Sequence, residues 1–392
     1  MRPLRALAVL LVAGGVACLE SSPKARDGRD GVAAHDATAA ADASLDADDG
    51  AALDAMADAY ADASLDATAL EDPMANHKET REELLALFDL RPFTEAEAKT
   101  VRADLFLALN VGPAVTRMSQ GNKSLAHHSI SREACLRGLD GVVLQTDAQR
   151  ARCGAPNMVP IYRNGDPHSA AYCIDIFEFP NRPCALPFVW TAPTHARTMC
   201  TLQGKRLCTQ GEWNLACRAD PAGGPDRTYA YGEELDLTIC NTNKARGASN
   251  KCSPITAQGA WETCSTDTEP VGAFPKCRSR FGVYDQHGNV AEVMTRLDKD
   301  KGVVTQLKGS AFFYAEVARK PDEPQAVGGT ETYPDHCNFD PRWHVEPIDN
   351  AWHVNYHLGF RCCKSLPPEV TASTDAGTDA SVSSALRAVG PP

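Results

Sequence analysis

The stretch Met199-Cys200-Thr201-Leu202-Gln203-Gly204-Lys205-Arg206-Leu207-Cys208-Thr209-Gln210-Gly211-Glu212-Trp213-Asn214-Leu215-Ala216-Cys217-Arg218 decides how the chain is read. Gly204 closes one helix-like segment. Lys205, Arg206 and Leu207 leave it as a short extended piece. Thr209 reads as a helix N-cap with Glu212 three residues on, the spacing at which a threonine hydroxyl and a glutamate carboxylate can satisfy each other's backbone N–H groups. Trp213, Ala216 and Cys217 then fall on one face of the following helix. Cys200 and Cys217 bracket a helix–turn–helix, and each is available to pin it elsewhere.

Working outward, further blocks follow in order. They are Tyr229-Ala-Tyr-Gly232, Glu269-Pro-Val-Gly272, Phe281-Gly-Val-Tyr-Asp-Gln-His-Gly-Asn-Val-Ala-Glu292, Lys308-Gly-Ser310 and Leu358-Gly-Phe-Arg-Cys362. Upstream stands Tyr172-Cys-Ile-Asp-Ile-Phe-Glu-Phe-Pro-Asn181. With the central stretch, this series resembles the sulfatase-modifying factor domains, the fold of the formylglycine-generating enzymes. There the blocks read Gly-Lys-Arg-Leu-Pro-Thr-Glu-Ala-Glu-Trp-Glu, Tyr-Pro-Trp-Gly, Pro-Val-Gly, Gly-Leu-Tyr-Asp-Met-x-Gly-Asn-Val-Trp-Glu, Gly-Gly-Ser and Gly-Phe-Arg. The opening strand is similar to that of a Cys-rich branch. The resemblance implies an α+β class: an irregular, disulfide-stapled elaboration of a C-type-lectin-like architecture over residues 131–365. Frequent turn formers and few long periodic runs agree with it.

The resemblance also implies a chemistry. The family enzyme oxidises a substrate cysteine to formylglycine with oxygen at a Cu(I) site held by two thiolates, and soft thiolates suit that ion. Counted from Gly309-Ser310, the equivalent positions here are Phe313 and Ala318. Counted back from Cys337, they are Val327 and Thr332. Neither count finds a thiol, and no cysteine lies between Cys277 and Cys337. Copper, and formylglycine generation by that mechanism, are therefore not expected. A branch of the fold that uses iron carries an additional His-rich bundle, which residues 76–130 do not resemble. The resemblance further implies two structural bridges, Cys200–Cys362 and Cys217–Cys337. It implies a calcium site as well, at Asn289, the main chain of Val290 and Glu292, with a weaker second site at Asn241 and Asp267. The alternative for Gly288-Asn289 is a tight turn with left-handed backbone. His336, His344, His353 and His357 crowd the C-terminal stretch in no metal-ligand template, so packed or exposed histidines are the plainer reading.

The rest of the chain sets the context. Fifteen cysteines in 392 residues, mostly without Cys-x-x-Cys pairs, point to disulfides and an oxidising compartment. Cys135 and Cys153 are read as candidates to bridge one another, and the partners of the remaining cysteines stay open. Residues 1–18 have a basic start, a short apolar core and small residues before Cys18, the pattern of a signal peptide with a lipobox-like end. Lipidation of Cys18 is expected, anchoring an exported protein to the bacterial cell envelope; ordinary cleavage near Ala17 would release it instead. Residues 19–75 form an Ala/Asp linker. Between Asp27 and Asp72 thirteen acidic residues face Arg29 alone, which equals the formal −12 of the whole chain. Such a segment buries no core, and its charge says nothing about the active domain. Nothing basic suggests nucleic acid.

Residues 76–130 are a helical segment. Leu84, Leu85, Leu87 and Phe88 give one amphipathic run, and Thr94 with Glu97 caps a second helix. The pair packs on the main domain or serves as a small partner-binding module. Residues 366–392 read as a disordered tail. Together these readings favour a catalytically degenerate, tethered domain that binds an extracytoplasmic peptide, protein or glycan. Two alternatives stand: an active oxidoreductase of the same family acting on protein cysteine or another substrate, and a structural envelope protein.

Overall fold

The computed structural model describes residues 72–109, 118–242, 260–312, 336–339, 346–347 and 354–367. Cys18, Phe313, Ala318, Val327, Thr332, His344 and His353 lie outside these residues, as do the signal peptide, most of the Ala/Asp linker and nearly all of the tail.

Two helices open the described chain, α1 (Arg81–Leu85) and α2 (Glu95–Ala108). Then come α3 (Arg132–Gly138), α4 (Asp147–Cys153), β1 (Met158–Ile161), β2 (Tyr172–Asp175), α5 (Pro193–Leu202), β3 (Arg206–Leu207) and α6 (Gln210–Arg218). The C-terminal part adds the short α7 (Ala260–Thr263), β4 (Ala291–Asp298), β5 (Gly302–Lys308), β6 (Glu346–Pro347), β7 (Leu358–Gly359) and β8 (Cys362–Ser365). Local chemistry fixes many of these starts. Thr80 with Glu83, Thr94 with Glu97, Thr146 with Gln149 and Thr209 with Glu212 all form reciprocal capping boxes. Each satisfies two backbone N–H groups that a helix start leaves without partners. Gly204, with φ of 67°, turns the chain out of α5 into β3. No helix among the described residues is long and apolar enough to cross a membrane.

The strands form two four-stranded sheets, ordered β1-β2-β8-β3 and β6-β5-β4-β7. The first is antiparallel throughout, with Ile174 opposite Cys363 and Leu207 opposite Cys362. In the second, β7 runs parallel to β4. The first sheet therefore places the last strand between two early ones and closes the domain on itself.

Side chains alternate across a strand, and the two main cores follow from that alternation. Val293 and Cys362 enter one core; their neighbours Met294 and Cys363 enter the other. The first core also takes Leu84, Leu85, Phe88 and Leu105, so both N-terminal helices pack on the domain. Phe179 is its hub, with ring centroids 5.4 Å from Phe88, 5.3 Å from Phe188 and 4.3 Å from Phe360. Burying side chains of this size contributes about 1.5–3 kcal/mol each.

Six disulfides are described: Cys135–Cys184, Cys153–Cys173, Cys200–Cys362, Cys208–Cys363, Cys217–Cys337 and Cys240–Cys277. Cys264 is disulfide-bonded as well. The expectation that Cys135 pairs with Cys153 is corrected. Cys135 lies on α3 against Val271, while Cys153 ends α4 in a separate small core with Met158 and Cys173, so each meets a different strand or loop. This disulfide density is compatible with an extracytoplasmic protein.

Candidate functional site

The block Tyr284–Glu292 runs through the middle of the molecule and collects charge there. Glu292, the second residue of β4, accepts from Arg361 Nε through both carboxylate oxygens (2.9 and 2.7 Å) and from the Trp213 indole at 2.9 Å. Arg361 is fully buried and spends its other donors on the carbonyls of Asp175, Ile176 and Tyr284. The central stretch, the Gly-Asn block and the closing Gly-Phe-Arg thus meet at one ion pair.

Two more carboxylates share this interior. Glu178 accepts from the Asn289 side chain at 2.6 Å and from Val290 N–H at 3.0 Å. Burial, then the charges of Asp285 and Glu292, push Glu178 well above the usual carboxylate range. Asp285 accepts from Gly272 N–H at 2.7 Å, and burial raises it to about 7. Burial is the first cause that raises all three of these carboxyls, and the one buried guanidinium among them lowers each in part.

Of the residues expected to bind calcium, Asn241 meets Asn289, and the side-chain oxygens of Asn289 and Glu292 accept hydrogen bonds. Asn289 Oδ1 accepts from Asn241 Nδ2 (2.9 Å) and from Glu269 N–H (2.8 Å). Val290 N–H donates to Glu178, and the Glu292 carboxylate accepts from Arg361 and Trp213. Asp267, in the weaker second site, accepts from His127 N–H. The side-chain oxygens of Asn289, Glu292 and Asp267 are thus met by N–H donors, an arrangement unlike the six to eight inward-turned oxygens that calcium takes. Gly288 and Asn289 have positive φ, 77° and 61°, the left-handed turn the sequence allowed. A Cβ at Gly288 would stand 2.5 Å from the Asn241 carbonyl, so only glycine lets these two loops close.

Beside this network lies a feature that the motif reading passed over, because its key residue fills the variable position of the Gly-Asn block. His287 Nε2 is 3.4 Å from Cys217 Sγ and 3.9 Å from Cys337 Sγ. These are the three side chains among the described residues whose donor atoms are grouped closely enough to hold a metal. Nε2 also accepts from Ala230 N–H at 2.8 Å, which assigns the ring proton to Nδ1. Tyr229 and Tyr231, stacked 5.5 Å apart, edge onto the same imidazole. The two sulfurs are joined as a disulfide, so the group offers no thiolate as it stands. Of the C-terminal histidines, His336 lies against Phe339 and His357 is buried against Tyr356.

The Lys308-Gly-Ser310 block is held on the same side. Ser310 Oγ accepts from Gly288 N–H at 2.9 Å, and Lys308 Nζ bonds the Cys337 and Phe339 carbonyls. Every cysteine among the described residues of this domain is disulfide-bonded. These cysteines do not fit a copper site that needs two free thiolates.

Comparison with known proteins agrees with this geometry. A family model described as sulfatase-modifying factor enzyme 1-like domain matches residues 181–366. The formylglycine-generating enzyme of Bos taurus is 29% identical over 152 residues, 38% of this chain and 36% of that one. The formylglycine-generating enzyme of Mycobacterium tuberculosis (strain ATCC 25618 / H37Rv) is 34% identical over 114 residues, 28% of this chain and 33% of that one. The chain therefore spans about a third of the length of these curated relatives. Among solved structures, the crystal structure of CarF matches with a TM-score of 0.29 and 12% identity, over 54% of this chain and 97% of that one. A Major Tropism Determinant P3c variant matches with a TM-score of 0.29 and 11% identity, over 54% and 52%. Over residues 181–366, then, the chain matches the sulfatase-modifying factor enzyme 1-like domain family.

Proposed function

We propose that this protein is an extracytoplasmic binding module built on a sulfatase-modifying factor domain, which recognises a peptide, protein or glycan and does not generate formylglycine. In this reading Cys18 carries a lipid anchor and the Ala/Asp segment holds the domain off the membrane. One observation carries it. All thirteen cysteines among the described residues are in disulfides, six pairs and Cys264, so of the two cysteines outside them, Cys18 and Cys252, one is left to bond Cys264 and at most one thiol stays free in the chain. A Cu(I) bis-thiolate centre needs two thiolates within one coordination sphere, whereas Phe313 and Ala318 stand where the resemblance puts the thiols. The fold is kept while the residues that make it an enzyme are replaced, and function resides in the site rather than the fold.

The test is direct. The full chain is titrated with Cu(I) under a competing chelator, then supplied with oxygen and a cysteine-containing peptide. The expected result is no copper retained by a pair of thiolates and no aldehyde on the peptide. Aldehyde formation at a rate proportional to bound copper overturns the proposal and restores the oxidoreductase reading.

A further inference from the structure

A recess of about 780 Å³ opens between the chain that follows α1 and the loop at Pro180–Pro183, with α3 on its third side. Its lining is unusual for an acidic chain. It contains Arg91, Arg132 and Arg182 and a single carboxylate, Asp89. That carboxylate is already spent on Arg91, which donates Nε to Oδ1 at 2.8 Å and Nη2 to Oδ2 at 2.6 Å. Glu133, next to Arg132, pairs with Arg137 at 3.1 Å. Arg132 and Arg182 have no carboxylate partner among the described residues, whereas Arg163, Arg206, Arg218 and Arg280 all do. Arg182 donates one Nη1 bond to the Ala86 carbonyl at 2.7 Å, which holds its guanidinium against the start of the recess and leaves other donors open. The charge of Arg150, on α4, also reaches Asp89.

The other lining is apolar. Leu87 is buried at its edge and Leu136 is 40% exposed. A concave site with apolar walls and a few convergent polar groups is the usual form of a small-ligand pocket. Two guanidinium groups without a carboxylate partner suit the paired oxygens of a tetrahedral oxyanion. We infer that this recess binds a phosphate or sulfate monoester carried on a ring or other apolar body, with Arg132 and Arg182 on the oxyanion and Leu87 and Leu136 against the body. The inference does not depend on the loss of the copper thiols.

Isothermal titration of the full chain at fixed ionic strength tests it, with inorganic phosphate, inorganic sulfate, phenyl phosphate and phenyl sulfate as probes and chloride as the control. Saturable binding of the esters is expected, about tenfold tighter than the bare ions. The preferred ester names the source. The double variant Arg132→Gln, Arg182→Gln should weaken ester binding by about tenfold or more, with thermal unfolding in ligand-free buffer showing that it is folded. Arg182→Lys keeps the charge but not the fork, and should fall between the two. Esters that bind no better than matched chloride, or that bind the folded double variant as tightly as the parent, overturn the inference. Equal affinity for bare ions and esters overturns its apolar part.

Discussion

Glu292 and Arg361 show what one buried pair asks of its surroundings. Arg361 is fully buried and all its donor nitrogens are met, by one carboxylate and three carbonyls. Removing one partner strands the other charge in a medium that cannot solvate it. Glu292→Gln should therefore cost about 3–5 kcal/mol in denaturant unfolding. Asp285 gives a prediction of the opposite kind. Burial lifts its carboxyl from 3.8 to about 7, so the folded state binds the proton more tightly than the unfolded chain. Its contribution is complete below the unfolded value and is lost as pH rises through 7. Asp285→Asn keeps an oxygen for Gly272 N–H. It should raise the unfolding midpoint relative to the parent at pH 8, with the difference closing near pH 4; a pH-independent difference refutes the assignment. His77 runs the other way. Burial, then the charge of His128, lowers it to about 4, so its contribution is lost as pH falls from 6.5 through 4.

At the scale of elements, the sequence was most legible where local chemistry closes on itself. The Thr209–Glu212 spacing implied a capped helix, and the structure has Glu212 N–H donating to Thr209 Oγ1 and Thr209 N–H donating to Glu212. Glu212 also pairs with Arg206, so the cap ties β3 to α6. Thr209→Ala should cost about 1 kcal/mol, measured as a shift in denaturant midpoint with unchanged slope. Less legible was what depends on meeting across distance. The partners of Cys135 and Cys153 follow from which sheet each helix packs on, and no spacing encodes that. His287 carried no signal either, since its neighbours Cys217 and Ala230 are 70 and 57 residues away in sequence. The calcium motif was present in sequence, but the N–H donors that meet its Asn289 and Glu292 oxygens come from Asn241, Glu269, Trp213 and Arg361, which lie 48, 20, 79 and 69 residues away.

For the whole molecule, the disulfides and the two cores form one framework. Cys362 and Cys363 are adjacent on β8, so they point to opposite faces, one into each core, where they meet Cys200 and Cys208. Loops of this length correspond to about 4–5 kcal/mol per bridge in the chain-entropy view. Replacing Cys208 and Cys363 together by serine should lower stability by about 2–5 kcal/mol, with the Cys200–Cys362 bridge still present in a non-reducing peptide map. Loss of both bridges from that map would instead mean that the two form as a unit.

The same double pinning has a mechanical meaning. Tension applied at the C-terminal end enters at Ser365 and meets Cys363 and Cys362 within three residues. There it is handed across covalent bonds to Cys208 and Cys200. The chain between Cys208 and Cys363, a sequence separation of 155, is thereby bypassed and can pay out no length. While both bridges hold, the part of the domain that carries Glu292, Asp285 and the Gly-Asn turn is a slack loop in a loaded molecule, shielded from a pull that would otherwise peel β8 out of its sheet.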